Sequence, residues 1–254
     1  MTFAFYPSLV GRVVFVTGGA SGIGADIVRA FARNQARVAF VDLQREVGEA
    51  LAAELSRDGE APLFMPCDVT DIPALQAAIA EAAKKLGPIG VLVNNAANDQ
   101  RHTVADVSVE YWDQTQNVNL RHQFFAAQAV HPQMRALGAG SIINLSSIAW
   151  RGGAPEMAAY ATAKAGVVGL TRALARAFGP DNIRVNAIEP GAVMTDRQRH
   201  LWYKSQESVD AMAQRQSIKT VLLGEEIART ALFLGADDSR MITKQSIIVD
   251  AGLR

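Results

Sequence analysis

The sequence predicts a doubly wound α/β fold, a parallel sheet with helices on both faces. Three observations carry that expectation. Short apolar runs rich in β-branched residues recur along the chain, longer stretches of helical period separate them, and glycines stand where those stretches stop. The 254 residues, 49% apolar and 20% charged, suit one large core, so residues 1–254 are expected to form a single domain.

The expected strands are Arg12–Thr17, Arg37–Asp42, Pro62–Cys67, Ile89–Asn94, Ser141–Ser146, Ile183–Ile188 and Gln245–Asp250. Their continuous apolar character fits strands covered on both faces. Between them Ile23, Ile27, Ala30 and Phe31 make one apolar helical stripe. Val47, Leu51 and Leu55 make a second, and Leu75, Ile79, Ala83 and Leu86 a third. Gly59, Gly87 and Gly179 are the expected helix stops. A long helix is expected over Val109–Leu137, with Pro132 kinking or ending it. Residues 194–217 are rich in Arg, Gln and Ser and lack a pattern, which reads as a loop covering a site or as a plain surface excursion. The apolar tail Gln245–Leu253 suits either a buried strand or an interface.

Bulk properties exclude several classes. Net charge is zero and Lys and Arg are scattered, so neither a nucleic-acid footprint nor a membrane-binding basic run is expected. One cysteine, Cys67, allows no internal disulfide and suits a reducing compartment. It reads as a small residue near a strand end. The start Met-Thr-Phe-Ala-Phe-Tyr-Pro-Ser lacks the pattern of a signal peptide, and no segment approaches the about 18 apolar residues of a membrane span. A cytoplasmic protein is expected. No two of the 4 histidines show metal-ligand spacing, so no metal is expected.

The first strand runs into Thr17-Gly18-Gly19-Ala20-Ser21-Gly22-Ile23-Gly24 and then a helix. Glycines let this backbone turn tightly and approach a pyrophosphate, whose charge the helix N-terminal N–H groups receive. Gly18, Ser21, Gly22, Ile23 and Gly24 are therefore candidate cofactor contacts in a Rossmann-type sheet. Asp42 ends the next strand, where a carboxylate bonds a ribose diol and repels a 2′-phosphate. That favours NAD, with NADP the alternative because Arg45 lies nearby. Asp68, at the end of the third strand, is either an adenine contact or a turn cap.

Tyr160 and Lys164 stand one helical turn apart, with Ser147 upstream. A phenol, a cation and a hydroxyl suit proton transfer at an alcohol oxygen. The ammonium is expected to pull the phenol towards neutral pH. By itself the pair is common in helices, usually as a lysine snorkelling beside a half-buried ring.

These residues together resemble the short-chain dehydrogenase/reductase family over nearly the whole chain. The likeness rests on the Thr17–Gly24 turn, Asp68, Asn94-Asn95-Ala96-Ala97, Asn119 within Asn117–Leu120, Ser147, Tyr160-x-x-x-Lys164 and Pro190-Gly191-Ala192-Val193-Met194-Thr195. It implies that Ser147 positions the substrate oxygen, Tyr160 is the acid/base, Lys164 holds the nicotinamide ribose, and Asn119 supports a relay water. Ser146 is the runner-up to Ser147. Val69, Asn95, Ala96, Pro190, Gly191, Val193 and Thr195 join Tyr160 and Lys164 as implied cofactor contacts, and a homotetramer is implied. Ala97 departs from the usual glycine, and Glu189 from a usually small residue.

Within that family the chain is most similar to bacterial aldose 1-dehydrogenases of the D-xylose or L-arabinose type. The similarity lies in Tyr6-Pro7-Ser8-Leu9, Asn98-Asp99-Gln100-Arg101-His102, Asn119-Leu120-Arg121-His122 and Asp250-Ala251-Gly252-Leu253-Arg254. It implies oxidation of a sugar at C1 to a lactone. Asn98, Asp99, His102, Glu189 and Gln198 are candidate hydroxyl partners, and Trp150 a stacking wall. The alternatives are a reductase or dehydrogenase of another alcohol or ketone, including the 3-oxoacyl type, or a non-catalytic dinucleotide sensor.

Overall fold

The computed structural model describes residues 4–57 and 61–254. Its parallel strands are β1 (Val13–Thr17), β2 (Arg37–Asp42), β3 (Leu63–Pro66), β4 (Ile89–Asn94), β5 (Gly140–Leu145), β6 (Ile183–Pro190) and β7 (Ser246–Val249). They form a 7-stranded sheet in the order β3-β2-β1-β4-β5-β6-β7. The doubly wound expectation is borne out, with every expected strand present to within a residue or two at its ends.

The α-helices are α1 (Gly22–Arg33), α2 (Arg45–Leu55), α3 (Ile72–Leu86), α4 (Val109–Gln116), α5 (His122–Leu137), α6 (Ala149–Gly152), α7 (Ala158–Phe178), α8 (Asp196–Leu201), α9 (Gln206–Arg215) and α10 (Gly224–Gly235). Strand residues alternate between two cores. Val14 and Val16 pack with Ile27, Phe31, Leu51 and Ile227 of α1, α2 and α10. Val13 and Phe15 pack with Leu75, Ile79, Val130 and Leu174 of α3, α5 and α7. Alternation on a strand buried on both faces produces such paired cores.

The order in which strands are added reverses between β1 and β4, where Thr17 sits beside Val41 on one side and Asn94 on the other. At such a switch point the loops leave the carboxyl ends of the strands in opposite directions and open a crevice. A buried polar rung supports it: Asn94 donates to Asn144 Oδ1 (2.9 Å), and Asn144 donates to Thr171 Oγ1 (3.0 Å).

Several expectations are corrected. Pro132 lies inside α5 and does not end it. The irregularity in the long helix falls earlier, in a π turn over Asn117–Arg121. Residues 194–217 are not irregular but hold α8 and α9, and Thr195 and Ser205 cap those helices. The tail forms β7, paired with β6. Gly87 and Gly179 cap the ends of α3 and α7 as expected, and a 3-10 turn follows from Gly179. The stop expected at Gly59 lies outside the described residues.

Candidate active site

A cleft of about 960 Å³ opens at the carboxyl ends of the strands. At its cofactor end, Gly18, Ser21, Gly22, Ile23 and Gly24 line it together with Asp42, Asp68, Val69, Asn95 and Ala96. Gly18 and Gly22 take φ of +64° and +54°, and a Cβ on Gly18 would stand 2.7 Å from Ala96 Cα. Glycine is needed there because the turn presses on the loop after β4 while bending through the left-handed region. Asn95 ties the two together, donating to Thr17 O (3.1 Å) and Gly18 O (2.8 Å). Thr17 Oγ1 accepts the N–H groups of Asn95 (3.0 Å) and Ala96 (3.1 Å). This side-chain-free cradle at the head of α1 fits a dinucleotide pyrophosphate.

Asp42 faces the cleft at 8% exposure and accepts from the backbone of Ala20 and Gln44, each at 3.0 Å. Asp68 lines the cleft and also caps Thr70, whose N–H and hydroxyl reach Oδ1 at 2.8 Å. Arg45 pairs with Glu49 at 3.7 Å and is not among the lining residues. Cys67 lies at the wall, its thiol pushed up to about 11 by burial and then by Asp68 and Asp71. Pro190, Gly191, Val193 and Thr195 close the far side.

Tyr160, Lys164 and Ser147 meet at the floor. Ser147 lines the cleft beside Tyr160 and is the side chain that favours its phenolate. Lys164 Nζ lies 5.5 Å from the phenol ring centre and donates to Leu145 O at 2.8 Å. Ser146 Oγ instead donates to Lys164 O at 2.7 Å, so its hydroxyl is committed to the backbone of α7. The local cause is the strand end: successive residues point to opposite sides, and only Ser147 meets the phenol.

The expected acidification is not what these protein groups produce. Burial pushes the Tyr160 phenol up, Asp99 adds to the rise, and only Ser147 opposes it. Burial also lowers Lys164 to about 7, against a smaller opposite pull from Asp99. Spacing brings the two groups together, but a fully desolvated lysine loses much of its charge and with it most of the field.

Asn119 is fully buried in the π turn. Its Oδ1 accepts from Asn98 N (3.0 Å), and its Nδ2 donates to Asn98 O (3.0 Å) and Thr115 O (2.9 Å). Its side chain therefore holds the loop after β4 and does not line the cleft.

Of the expected sugar contacts, Asn98, Asp99 and Gln198 line the cleft, and three others do not. Glu189 is fully buried and clamped by Arg151, with Nε to Oε2 at 2.5 Å and Nη2 to Oε1 at 2.8 Å, and Ser246 also donates to it. Burial raises that carboxyl, but the bonds from Arg151 and Ser246 outweigh it and hold it low. Trp150 lies under the Arg151 guanidinium at 4.4 Å and is a platform for that pair. His102 Nε2 accepts the Ala159 N–H (3.3 Å) at the start of α7, and Nδ1 faces Tyr111 Oη (3.1 Å). These side chains serve the frame because their partners come from segments 38 and 57 residues away.

Other residues on the substrate side are not singled out by the sequence: Arg101, Glu156, Tyr203, Met212, Arg215 and Leu253 all line the cleft. Tyr203, Met212 and Arg215 lie in the covering segment at residues 194–217, and Arg101 and Leu253 lie in stretches that carry the resemblance to aldose dehydrogenases. Among the described residues no cluster of His, Cys, Asp or Glu has metal-binding geometry, and no helix is long and apolar enough to cross a membrane.

Comparison with known proteins agrees with this geometry. Residues 18–254 match the family model described as enoyl-(acyl carrier protein) reductase. The chain is 50% identical to a probable galactose dehydrogenase of Rhizobium meliloti, over 98% of this chain and 97% of that one. It is 45% identical to a D-xylose 1-dehydrogenase of Caulobacter vibrioides over the full length of both. Among solved structures, a doubly substituted short-chain dehydrogenase/reductase of Serratia marcescens superposes with a TM-score of 0.89. It shares 34% identity over 97% of this chain and 99% of that one. The glycine cradle, the Ser147–Tyr160–Lys164 floor and these likenesses agree: the chain belongs to the short-chain dehydrogenase/reductase family, an oxidoreductase acting on CH–OH groups.

Proposed function

We propose that this protein oxidises an aldose at C1 to the lactone with NAD, in a single catalytic domain whose 194–217 segment covers the substrate. The observation that carries the reading is the meeting of Ser147, Tyr160 and Lys164 in the cleft lining, with Lys164 Nζ 5.5 Å from the phenol ring centre. The names of the galactose and D-xylose relatives supply the substrate class. When bound, the nicotinamide supplies a hydride acceptor and a positive charge.

The residues of this chain do the rest. Gly18, Ser21, Gly22, Ile23 and Gly24 hold the pyrophosphate, and Asp42 takes the adenosine ribose diol. Arg45, engaged with Glu49, offers no clamp for a 2′-phosphate, which supports NAD over NADP. Asp68 and Val69 border the adenine, and Asn95 and Ala96 form the wall behind the pyrophosphate turn. Pro190, Gly191, Val193 and Thr195 flank the nicotinamide, and Lys164 holds its ribose. Ser147 orients the anomeric hydroxyl, and Tyr160 Oη, in the phenolate form that the positive charge of the nicotinamide would favour, takes its proton as the C1–H bond breaks and the C1=O bond forms. Asn119 acts by holding Asn98 in place. The polar mouth formed by Asn98, Asp99 and Gln198 suits a polyol.

The proposed assembly is a homotetramer in which the helical stretch holding Asn119 and the Tyr160 helix α7 pack between subunits, and exposed Val109, Trp112 and Phe124 on α4 and α5 support it. A cytoplasmic location is also proposed, where the nicotinamide dinucleotide is supplied and the free Cys67 stays reduced.

The test is reduced-cofactor formation with a panel of aldoses, secondary alcohols and ketones, run with both cofactors. An aldose with NAD is the expected best pair. Tyr160→Phe is expected to lose about 10²–10⁴-fold in turnover while still binding dinucleotide. Near-wild-type oxidation by that variant overturns the assignment.

A further inference from the structure

The loop after β4 does more than border the cleft. Four of its residues each tie it to a different part of the site. Asn98 exchanges two hydrogen bonds with Asn119 in the π turn, each of 3.0 Å. Asp99 accepts from Arg197 Nε (3.2 Å) and from Gln198, both on α8. Arg101 stacks on Trp202, just past α8, at 4.3 Å and faces Glu156 at 3.6 Å. His102 caps the first turn of the helix that carries Tyr160. Cover and loop thus clasp each other reciprocally: Arg197 reaches from cover to loop, and Arg101 from loop to cover.

Within that clasp Asp99 is distinctive. Its side chain is 20% exposed and lines the cleft, and its charge reaches both Tyr160 and Lys164. The charged or titrating groups that share the substrate side of the cleft with the phenol are Lys164 on its own helix, Asp99 and Arg101 on the loop, Glu156 ahead of α7, and Asp196, Arg197, Tyr203 and Arg215 on the cover. Asp99 is the one whose charge reaches the phenol. Arg101 and Glu156 oppose each other, which leaves the Asp99–Arg197 pair as the adjustable element.

We propose that Asp99 is a positioning residue that couples the seating of α8 over the cleft to the proton affinity of Tyr160. A bare carboxylate near the phenol favours its protonated form. Arg197 seated on Asp99 offsets that charge, so the phenol gives up its proton more readily when the cover is closed. The consequence is ordered chemistry, because the phenol is readied as a base only where the substrate is shielded from water.

This inference rests on the reading of Tyr160 as proton acceptor, and the two ends of the ion pair test it with opposite signs. The limb of kcat/KM that rises with pH is measured for the aldose that the wild-type enzyme oxidises best. Asp99→Asn keeps the shape and an acceptor but removes the negative charge, so the limb is expected to move to lower pH. Arg197→Gln takes the cation away from Asp99 and leaves it only the neutral Gln198 donor, so the limb is expected to move to higher pH. A purely structural latch moves neither limb, or moves both the same way, and either result overturns the proposal. Tryptic cleavage at Arg199 and Lys204 reports the seating of the cover without any turnover. It is expected to quicken several-fold in both variants, and unchanged cleavage in Asp99→Asn also overturns the proposal. If the wild-type enzyme oxidises no aldose or alcohol, the proposed function fails instead, while the cleavage result still judges the clasp.

Discussion

Replacing Gly24 with alanine tests the cofactor cradle directly. A Cβ on Gly24 would lie 1.9 Å from Gly18 O, where ordinary contact starts at 3.4 Å, and 2.6 Å from Asn95 Nδ2. Neither atom can yield cheaply. Gly18 O is backbone of the glycine turn, and Asn95 Nδ2 is the group that bonds Gly18 O at 2.8 Å. The turn must therefore shift by an ångström or more, at about 1–3 kcal/mol for overpacking and about 0.5–1.5 kcal/mol for the weakened Asn95 bond. Alanine returns about 1 kcal/mol through helix propensity in α1. The net expectation is a loss of about 0.5–3.5 kcal/mol of stability and a fall of several degrees in Tm. Dinucleotide affinity should suffer as well, by about tenfold or more, since about 1.4 kcal/mol of lost contact suffices for that. Gly169→Ala is the control. It lies inside α7, and a Cβ there would meet nothing within 4 Å, so it should gain about 0.5–1 kcal/mol and leave binding alone. Thermal unfolding and calorimetric titration with NAD measure both effects. If Gly24→Ala binds dinucleotide normally and gains stability as Gly169→Ala does, the close-approach reasoning is refuted.

Two further outcomes follow from the buried groups. Glu189→Gln should lower unfolding stability by about 1–3 kcal/mol, because it weakens the bonds from Arg151 and Ser246, while leaving the sugar KM unchanged; a large KM effect with unaltered stability would return Glu189 to the substrate site. His122 is fully buried, and burial, helped by Lys164, lowers it from 6.5 to about 3. Below pH 6.5 the unfolded chain binds a proton that the folded chain refuses, so this stability is present above 6.5 and lost as pH falls towards 3. Chemical denaturation should therefore show the wild-type protein losing about 2 kcal/mol more than His122→Gln between about pH 7 and pH 5, and parallel curves would contradict the assignment.

How much is legible in the sequence depends on the range over which each feature acts. The strands, the glycine turn and the Tyr160–Lys164 spacing are local patterns, set by residue period and by a backbone that only glycine adopts easily. They emerge nearly unchanged, down to β2 and β4 ending at Asp42 and Asn94. Spacing also favours Ser147 over Ser146, and the geometry supplies the cause in the Ser146 bond to Lys164 O. Side-chain roles that depend on distant partners are not legible. Glu189 and His102 both stand near the cleft along the chain, yet each is claimed by a residue or helix end that the tertiary fold delivers.

The cover shows the same division. Its polar composition hides two capped helices, because short helices held by tertiary contacts need little apolar periodicity of their own. The layered fold, the cofactor turn and the pairing of Tyr160 with Lys164 are written in residue order alone, since period and spacing act within a few residues. The proton affinities of that pair, and the neighbours that tune them, come into being only when the chain has folded. Affinity depends on desolvation and on charges such as Asp99, which acts on Tyr160 from 61 positions away in the chain.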